Sequence, residues 1–184
     1  MVTTTRAVLD VLDRYQPRTA TEHTDVERVR ALAEAGDPWG RETPLHVTGS
    51  ALIVHPDSGR VLLRWHHRHE SWLLVGGHAD PEEYDPLAIA LREGREETGL
   101  PDLAPWPDAE VRHLVVVPVP ANSREGAHEH ADIRFVLATR TPEAARPENP
   151  QAPLRWLSPQ EARGLITEEN IHDTLSRVEP LLAG

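Results

Sequence analysis

The chain has 184 residues and a formal net charge of −11, so it is long enough for a real hydrophobic core and too acidic to grip a nucleic-acid backbone. Cysteine is absent, which excludes disulfides, thiolate catalysis and cysteine zinc sites; lysine is absent too, since all 19 basic residues are arginine, which excludes a P-loop lysine and a Schiff base. No apolar run is long enough to span a membrane, and the first residues, MVTTTRAVLDVLDRY, are amphipathic and contain acids, so the expectation is a cytoplasmic protein with no membrane partner.

In chain order, Arg6 to Tyr15 carries Val8, Leu9, Val11, Leu12 and Tyr15 at helical spacing, and Thr24 to Ala35 repeats the pattern with Val26, Val29, Leu32 and Ala33 before Gly36 ends it. These helices predict an N-terminal extension over residues 1–40. The segment DPWGRETP is a loop. His46 to Val54 and Arg60 to Trp65 read as strands joined by the turn HPDSG. The next turn, HHRHES, holds His66, His67 and His69, but no cysteine or carboxylate completes a zinc set there, so it reads as a polar hairpin turn, with His66 a candidate for the substrate side. Trp65 and Trp72 read as core residues rather than base-stacking platforms.

Trp72 to Val75 is an apolar strand running into Gly76 and Gly77, where backbone carbonyls can approach a ligand closely. A helix follows with explicit ends: Asp85 as N-cap, Pro86 at the first helical position, Thr98 as its last residue and Gly99 as the left-handed stop. Glu93, Glu96 and Glu97 stand at i, i+3 and i+4 on this helix, so their carboxylates share one face within a single turn. Alone, three such glutamates are an ordinary charged surface, with Arg92 relieving part of the repulsion. Beside a glycine pair they are also what a hard divalent cation needs, and Mg²⁺ is typically held by a few carboxylates while it bridges substrate phosphates.

Beyond the helix, Pro101 to Pro107 is a proline-rich link and Val111 to Val119 a β-branched strand. Ala121 to His130 reads as a polar loop carrying Arg124, Glu125, His128, Glu129 and His130, and loops of this kind often carry function. A half-buried strand follows, with Ile133, Phe135 and Leu137 on one face and Asp132, Arg134 and Val136 on the other. Arg140 to Pro153 is a flexible connection, Arg155 to Leu157 a short strand, and Ser158 with Glu161 forms a capping box opening a helix. A last amphipathic helix spans about Glu168 to Leu182. There is no internal repeat, and strands and helices intermix without regular βαβ alternation, which predicts an α+β fold with a mixed sheet.

The stretch over residues 76–100 resembles the Nudix box, G-x5-E-x7-R-E-U-x-E-E-x-G-U, through Gly77, Glu83, Arg92, Glu93, Gly94, Glu96, Glu97, Gly99 and Leu100. It departs in two places. One extra residue separates the loop glutamate from Arg92, so Glu82 or Glu83 could fill that role, and the aliphatic position is Gly94, which leaves either a gap or an unusually close strand. The stretch from His128 to Asp132 resembles a His-x-His-x-Asp loop of a bacterial subset of the same family.

The resemblance implies a Nudix-type α/β/α sandwich, with residues 1–184 one domain, and Mg²⁺- or Mn²⁺-assisted hydrolysis of a diphosphate linkage in a nucleoside diphosphate linked to another moiety. It implies that Glu96 and Glu97 bind metal, that Glu93 binds metal or acts as base, that the Gly77 carbonyl can complete the shell, and that Arg92 orients the glutamates. Glu83 and Gly99 would be structural. With no lysine available, a phosphate clamp falls to Arg64, Arg124 or Arg134, and Glu125 or Glu129 could supply a base from outside the box. The expected partner is a small phosphorylated, nucleotide-derived substrate; a homodimer stays open. The rival reading is a non-catalytic nucleotide- or ADP-ribose-binding module on the same fold. An isomerase of this fold would want a catalytic cysteine, which the chain lacks.

Overall fold

Strand β1 (Leu45–His55) is buried at every position but its two ends, so both of its faces must be covered. In the computed structural model, which describes residues 4–121 and 125–183, β1 lies at the centre of a mixed sheet. On one side it runs parallel to β7 (His128–Ala138), with His46 opposite His130 and Thr48 opposite Asp132. On the other side its first half pairs with β4 (Val75–His78) and its end with β2 (Arg60–His66). Strand β2 extends the sheet through β3 (Ser71–Leu73) and β8 (Leu154–Leu157), while β7 is flanked by β6 (His113–Val119) and the short β5 (Ala104–Pro105). Every pairing except β1 with β7 is antiparallel.

The two-residue period of the strands sorts the core into two layers. Val47, Ala51, Ile53, Ala131, Ile133, Phe135 and Leu137 face one side, where helices α1 (Arg6–Arg14), α2 (Ala20–Ala35) and α3 (Pro86–Thr98) pack. Leu52, Val54, Val61, Leu63 and Val136 face the other, covered by α4 (Pro159–Leu165) and α5 (Glu169–Leu182). Three layers result, an α/β/α sandwich with an N-terminal helical extension. The extension has a definite task. Among the described residues, strand β6 pairs only with β7, and its outer N–H groups would otherwise form an open sheet edge. Tyr15 Oη accepts from the Leu114 N–H at 3.2 Å and Asp25 Oδ2 from the Val116 N–H at 2.9 Å, so side chains of the extension occupy that edge.

Several local expectations shift. Helix α2 starts at Ala20 rather than Thr24, because the Thr19 hydroxyl accepts from the Glu22 N–H and caps it there. The run from Trp72 to Val75 divides at Leu74, since β3 pairs with β2 and β4 with β1. The proline-rich link contains β5. Strand β7 begins already at His128, inside the segment read as a loop, and from Ala131 to Leu137 it is buried on both faces rather than half-buried. Its parallel pairing to β1 makes it a central strand, and Asp132 and Arg134 are tolerated there because they pair with each other at 2.7 Å. Among the described residues, no helix is long and apolar enough to cross a membrane.

Candidate active site

Helix α3 forms as its sequence dictates. Asp85 Oδ1 accepts from the Leu87 N–H at 2.9 Å, Pro86 occupies the first turn, and Gly99 ends the helix with φ 65°, its N–H bonded to the Arg95 carbonyl. Gly94, at the position where the box has an aliphatic residue, marks a close approach and not a gap: a Cβ there would lie 3.0 Å from Leu103 Cδ1 and 3.4 Å from Leu137 Cδ1. The helix is thereby drawn down onto β1 and β7.

Arg92 organises the carboxylates. Its Nη1 donates to Glu93 Oε1 and to Glu96 Oε2, each at 3.0 Å; its Nε and Nη2 donate to Glu83, and Nη2 also donates to the His78 carbonyl at 2.8 Å. Glu83 is therefore the loop glutamate, while Glu82 sits in the turn with φ 71°. Burial alone would make the Arg92 guanidinium easier to deprotonate, but its bonds to Glu83 and the charge of Glu93 hold it firmly cationic.

Glu97 points elsewhere. Its Oε2 accepts from the Gly76 N–H at 3.1 Å and its Oε1 lies 3.2 Å from Arg64 Nη1. The residue is only 8% exposed, and this burial pushes its carboxyl up to about 7 against the opposing pull of Arg64 and the Gly76 N–H. Burial also raises the Glu93 carboxyl, with Arg92 opposing. Gly76 must be glycine, since its φ is 154° and a Cβ would fall 2.3 Å from Ser50 Oγ. A Cβ on Gly77 would fall 2.3 Å from Glu93 Oε1, so the strand backbone and the helix carboxylates are in direct apposition. Three carboxylates, two of them raised by burial, beside a glycine backbone fit a hard divalent cation: its charge would relieve both their repulsion and the cost of burying Glu93 and Glu97.

A cleft of about 500 Å³ opens beside this apposition, within the size range of small-molecule sites. Of the residues singled out by sequence, Gly76, Gly77, Glu97, Arg64, His66, His69, Glu125, His128, His130, Asp132 and Arg134 line it. Among the described residues, the buried Arg64 Nε has no hydrogen-bond partner. Burial, followed by the charges of His69, Arg64 and Arg68, pushes His66 down to about 4, which keeps it neutral. Glu125 stands 4.0 Å from Arg68 Nη1. Arg134 reaches the cleft from below, but its guanidinium is engaged by Asp132, the Asn170 carbonyl and side chain, and Thr174, so it reads as part of the floor rather than a free clamp. Glu129 does not reach the cleft. Strand alternation sends it to the opposite face from His128 and His130, where it pairs with Arg28 of α2. Arg124 lies outside the described residues. Trp65 and Trp72 pack edge to face at 5.5 Å away from the cleft lining, and His67 and His69 are exposed in the turn after β2.

A feature missed in the sequence is a histidine cluster at one end of the cleft. His78 Nε2 lies 3.1 Å from His46 Nε2 and 3.2 Å from His130 Nε2, and His128 Nε2 lies 3.2 Å from His130 Nε2. Burial lowers His46, and it takes His78 to about 3 and His130 to about 4, so these rings are neutral near pH 7. The adjacency of His78 to Gly77 was visible in the chain. The placement of His46 opposite His130 was not, because it depends on the parallel register of β1 and β7.

The site thus consists of a helix carrying three glutamates, turned against a glycine strand beside a cleft of about 500 Å³ in an α/β/α sandwich. The NUDIX domain profile matches residues 44–177, most of the chain, and the protein belongs to the Nudix hydrolase family, whose members generally use divalent metals. A probable DHNTP pyrophosphohydrolase of Lactococcus lactis subsp. cremoris is 31% identical over 106 residues, covering 58% of this chain and 61% of the relative, so the chain spans less than two thirds of that protein. Among solved structures, the fold matches an E. coli dihydroneopterin triphosphate pyrophosphohydrolase (TM-score 0.55, 18% identity, 73% of this chain and 95% of that one). It also matches a C. elegans Ap4A hydrolase in a binary complex (TM-score 0.59, 18% identity, 75% and 98%). At such identity these two comparisons speak to the fold.

Proposed function

We propose that the protein is a Mg²⁺- or Mn²⁺-dependent pyrophosphohydrolase that cleaves a diphosphate linkage in a nucleoside diphosphate linked to another moiety. The observation carrying this reading is the raised, buried Glu97 carboxyl at the cleft wall, in the same helix turn as Glu93 and Glu96 and against the Gly76–Gly77 backbone. Glu93, Glu96, Glu97 and the Gly77 carbonyl would hold the ion. When bound, it supplies charge neutralisation at the phosphoryl oxygens and acidifies water. The chain's own residues do the rest. Arg92, locked by Glu83 and the His78 carbonyl, fixes the rotamers of Glu93 and Glu96. Arg64, whose side chain lines the cleft beside Glu97, binds a phosphate oxygen. Glu93, or Glu125 from the cleft rim, takes the proton of the attacking water as its oxygen bonds to phosphorus; the bridging oxygen leaves with the other phosphate.

The two relatives named as dihydroneopterin triphosphate pyrophosphohydrolases and the Ap4A hydrolase indicate which compounds to try first. The test is a phosphate-release screen over dihydroneopterin triphosphate, dinucleotide polyphosphates, ADP-ribose, nucleotide sugars and oxidised nucleoside triphosphates, with Mg²⁺ and with Mn²⁺. Metal-dependent turnover of a member of this set is expected, abolished by chelator. If none is hydrolysed while a nucleotide still raises the melting temperature, the protein is a binding module.

A further inference from the structure

The histidine cluster plays no part in the hydrolysis just described, and its hydrogen-bond bookkeeping points to a ligand. The Nδ1 atoms of His46 and His128 lie 3.2 Å from the Thr43 carbonyl and 2.9 Å from the Gly126 carbonyl. A carbonyl only accepts, so in the neutral rings each Nδ1 carries the proton and each Nε2 presents a lone pair. These two Nε2 atoms then stand at the ends of a chain of three close contacts, His46 to His78 to His130 to His128, at 3.1, 3.2 and 3.2 Å. His78 and His130 can bring at most one Nε2 proton each. All three contacts are met only if His46 or His128 carries a second proton; otherwise at least one pair of nitrogens faces lone pair to lone pair or proton to proton.

An ion among the nitrogens removes the conflict, and the spacing suits one. Zinc–nitrogen bonds of about 2.0–2.1 Å in a tetrahedral site put ligand nitrogens about 3.3 Å apart, close to the 3.1 and 3.2 Å by which His78 stands from His46 and His130. His46, His78 and His130 each offer a ring nitrogen within 4.8 Å of the others. Ring and backbone hold them from three strands: His46 from β1, His78 from β4 and His130 from β7, each fixed by sheet pairing. His46 is buried, while His78, His128 and His130 line the cleft, so an ion would be reached from the substrate side. An all-imidazole set selects a borderline transition ion rather than Mg²⁺ or Ca²⁺, which prefer oxygen.

We propose that His46, His78 and His130, with His128 as the neighbouring fourth nitrogen, form a second metal site, specific for a zinc-class divalent ion and separate from the Glu93, Glu96 and Glu97 carboxylates. It places a fixed positive charge at the far end of the cleft in a chain that has no lysine to put there.

The test uses the full chain stripped with chelator and then titrated with ZnCl₂ against a chromophoric chelator, and separately with CoCl₂. Expected are one tightly held zinc ion per chain, the intense visible absorption of four-coordinate cobalt, and imidazole scattering from three or four rings in the zinc X-ray absorption of the wild type. His130→Gln and His78→Gln should each weaken zinc at least about 10²-fold, the upper end of what loss of even an outer-shell partner costs, whereas Glu96→Gln should leave zinc affinity within twofold. The wild-type spectra carry the test even if a histidine variant fails to fold. Six-coordinate cobalt spectra, oxygen-only scattering, zinc affinity lost in Glu96→Gln, or zinc affinity untouched in both histidine variants would each overturn the proposal. So would a cluster that ignores zinc but is protected by inorganic phosphate, which would make it an anion site.

Discussion

Replacing Glu97 by Gln should stabilise the protein in chelator and inactivate it. The reasoning follows the proton. Glu97 titrates near its ordinary value of 4.5 when unfolded and at about 7 when folded, because burial outweighs Arg64 and the Gly76 N–H. Between those values the folded state binds more protons than the unfolded one, so stability falls as pH rises through the window and the loss is complete above about 7. The shift corresponds to an upper bound of about 3 kcal/mol, at about 1.4 kcal/mol per pH unit. Glutamine keeps the size and the acceptor for the Gly76 N–H but cannot ionise, so it escapes the loss. In a chain of this length each kcal/mol moves the melting temperature by roughly 2–4 °C. A solvated triplet of glutamates on a helix face would give only a few tenths of a kcal/mol; the larger figure comes from the burial of Glu97. The assay is a set of melting curves for wild type and Glu97→Gln in chelator across about pH 5 to 8, repeated with Mg²⁺, alongside turnover. The variant's advantage should be smallest at the acid end, grow to its maximum at the alkaline end, and shrink or reverse with Mg²⁺, which stabilises only a protein that binds it. Turnover should fall by at least about 10²-fold. A melting difference independent of pH in chelator, or full turnover in Glu97→Gln, would refute the reasoning.

Glu83→Gln should lower kcat by about tenfold with little change in folding, since it loosens Arg92 and through it Glu93 and Glu96, as steady-state kinetics with circular dichroism would record. Gly94→Val should destabilise by about 1–3 kcal/mol in urea unfolding despite the aliphatic residue usual there, because the added side chain meets Leu103 and Leu137 in an already filled space. At acid pH a different group governs: burial would raise the Glu22 carboxyl, but Tyr15, the Arg18 N–H and Arg177 together hold it at about 2. Its depressed value means that the stability it contributes is present above 4.5 and lost as pH falls towards 2. Glu22→Gln should therefore flatten the acid limb of the stability profile in that window; an unchanged limb would show that this cluster, which joins α1, α2 and α5, does not hold the extension in place.

The chain itself determined α3 and its chemistry, because caps, helical spacing and the glycine pair are local: Asp85, Pro86 and Gly99 bound the helix where expected, and i, i+3, i+4 spacing alone puts Glu93, Glu96 and Glu97 together. Local too were the capping box of Ser158 and Glu161 and the strand assignments of β1 and β2. What only the tertiary structure decided depends on register and on partners distant in sequence. Whether Glu82 or Glu83 meets Arg92 turned on the loop's path, and whether Gly94 left a gap or a contact turned on Leu103 and Leu137. The same single-residue step along β7 that sends His128 and His130 into the cleft sends Glu129 out to Arg28, and the loop boundary assumed near His130 hid that parity. The histidine cluster is the extreme case: His46, His78 and His130 are scattered through the chain and meet because β1 is paired by β4 on one edge and by β7 on the other, a fact that no periodicity within a strand contains.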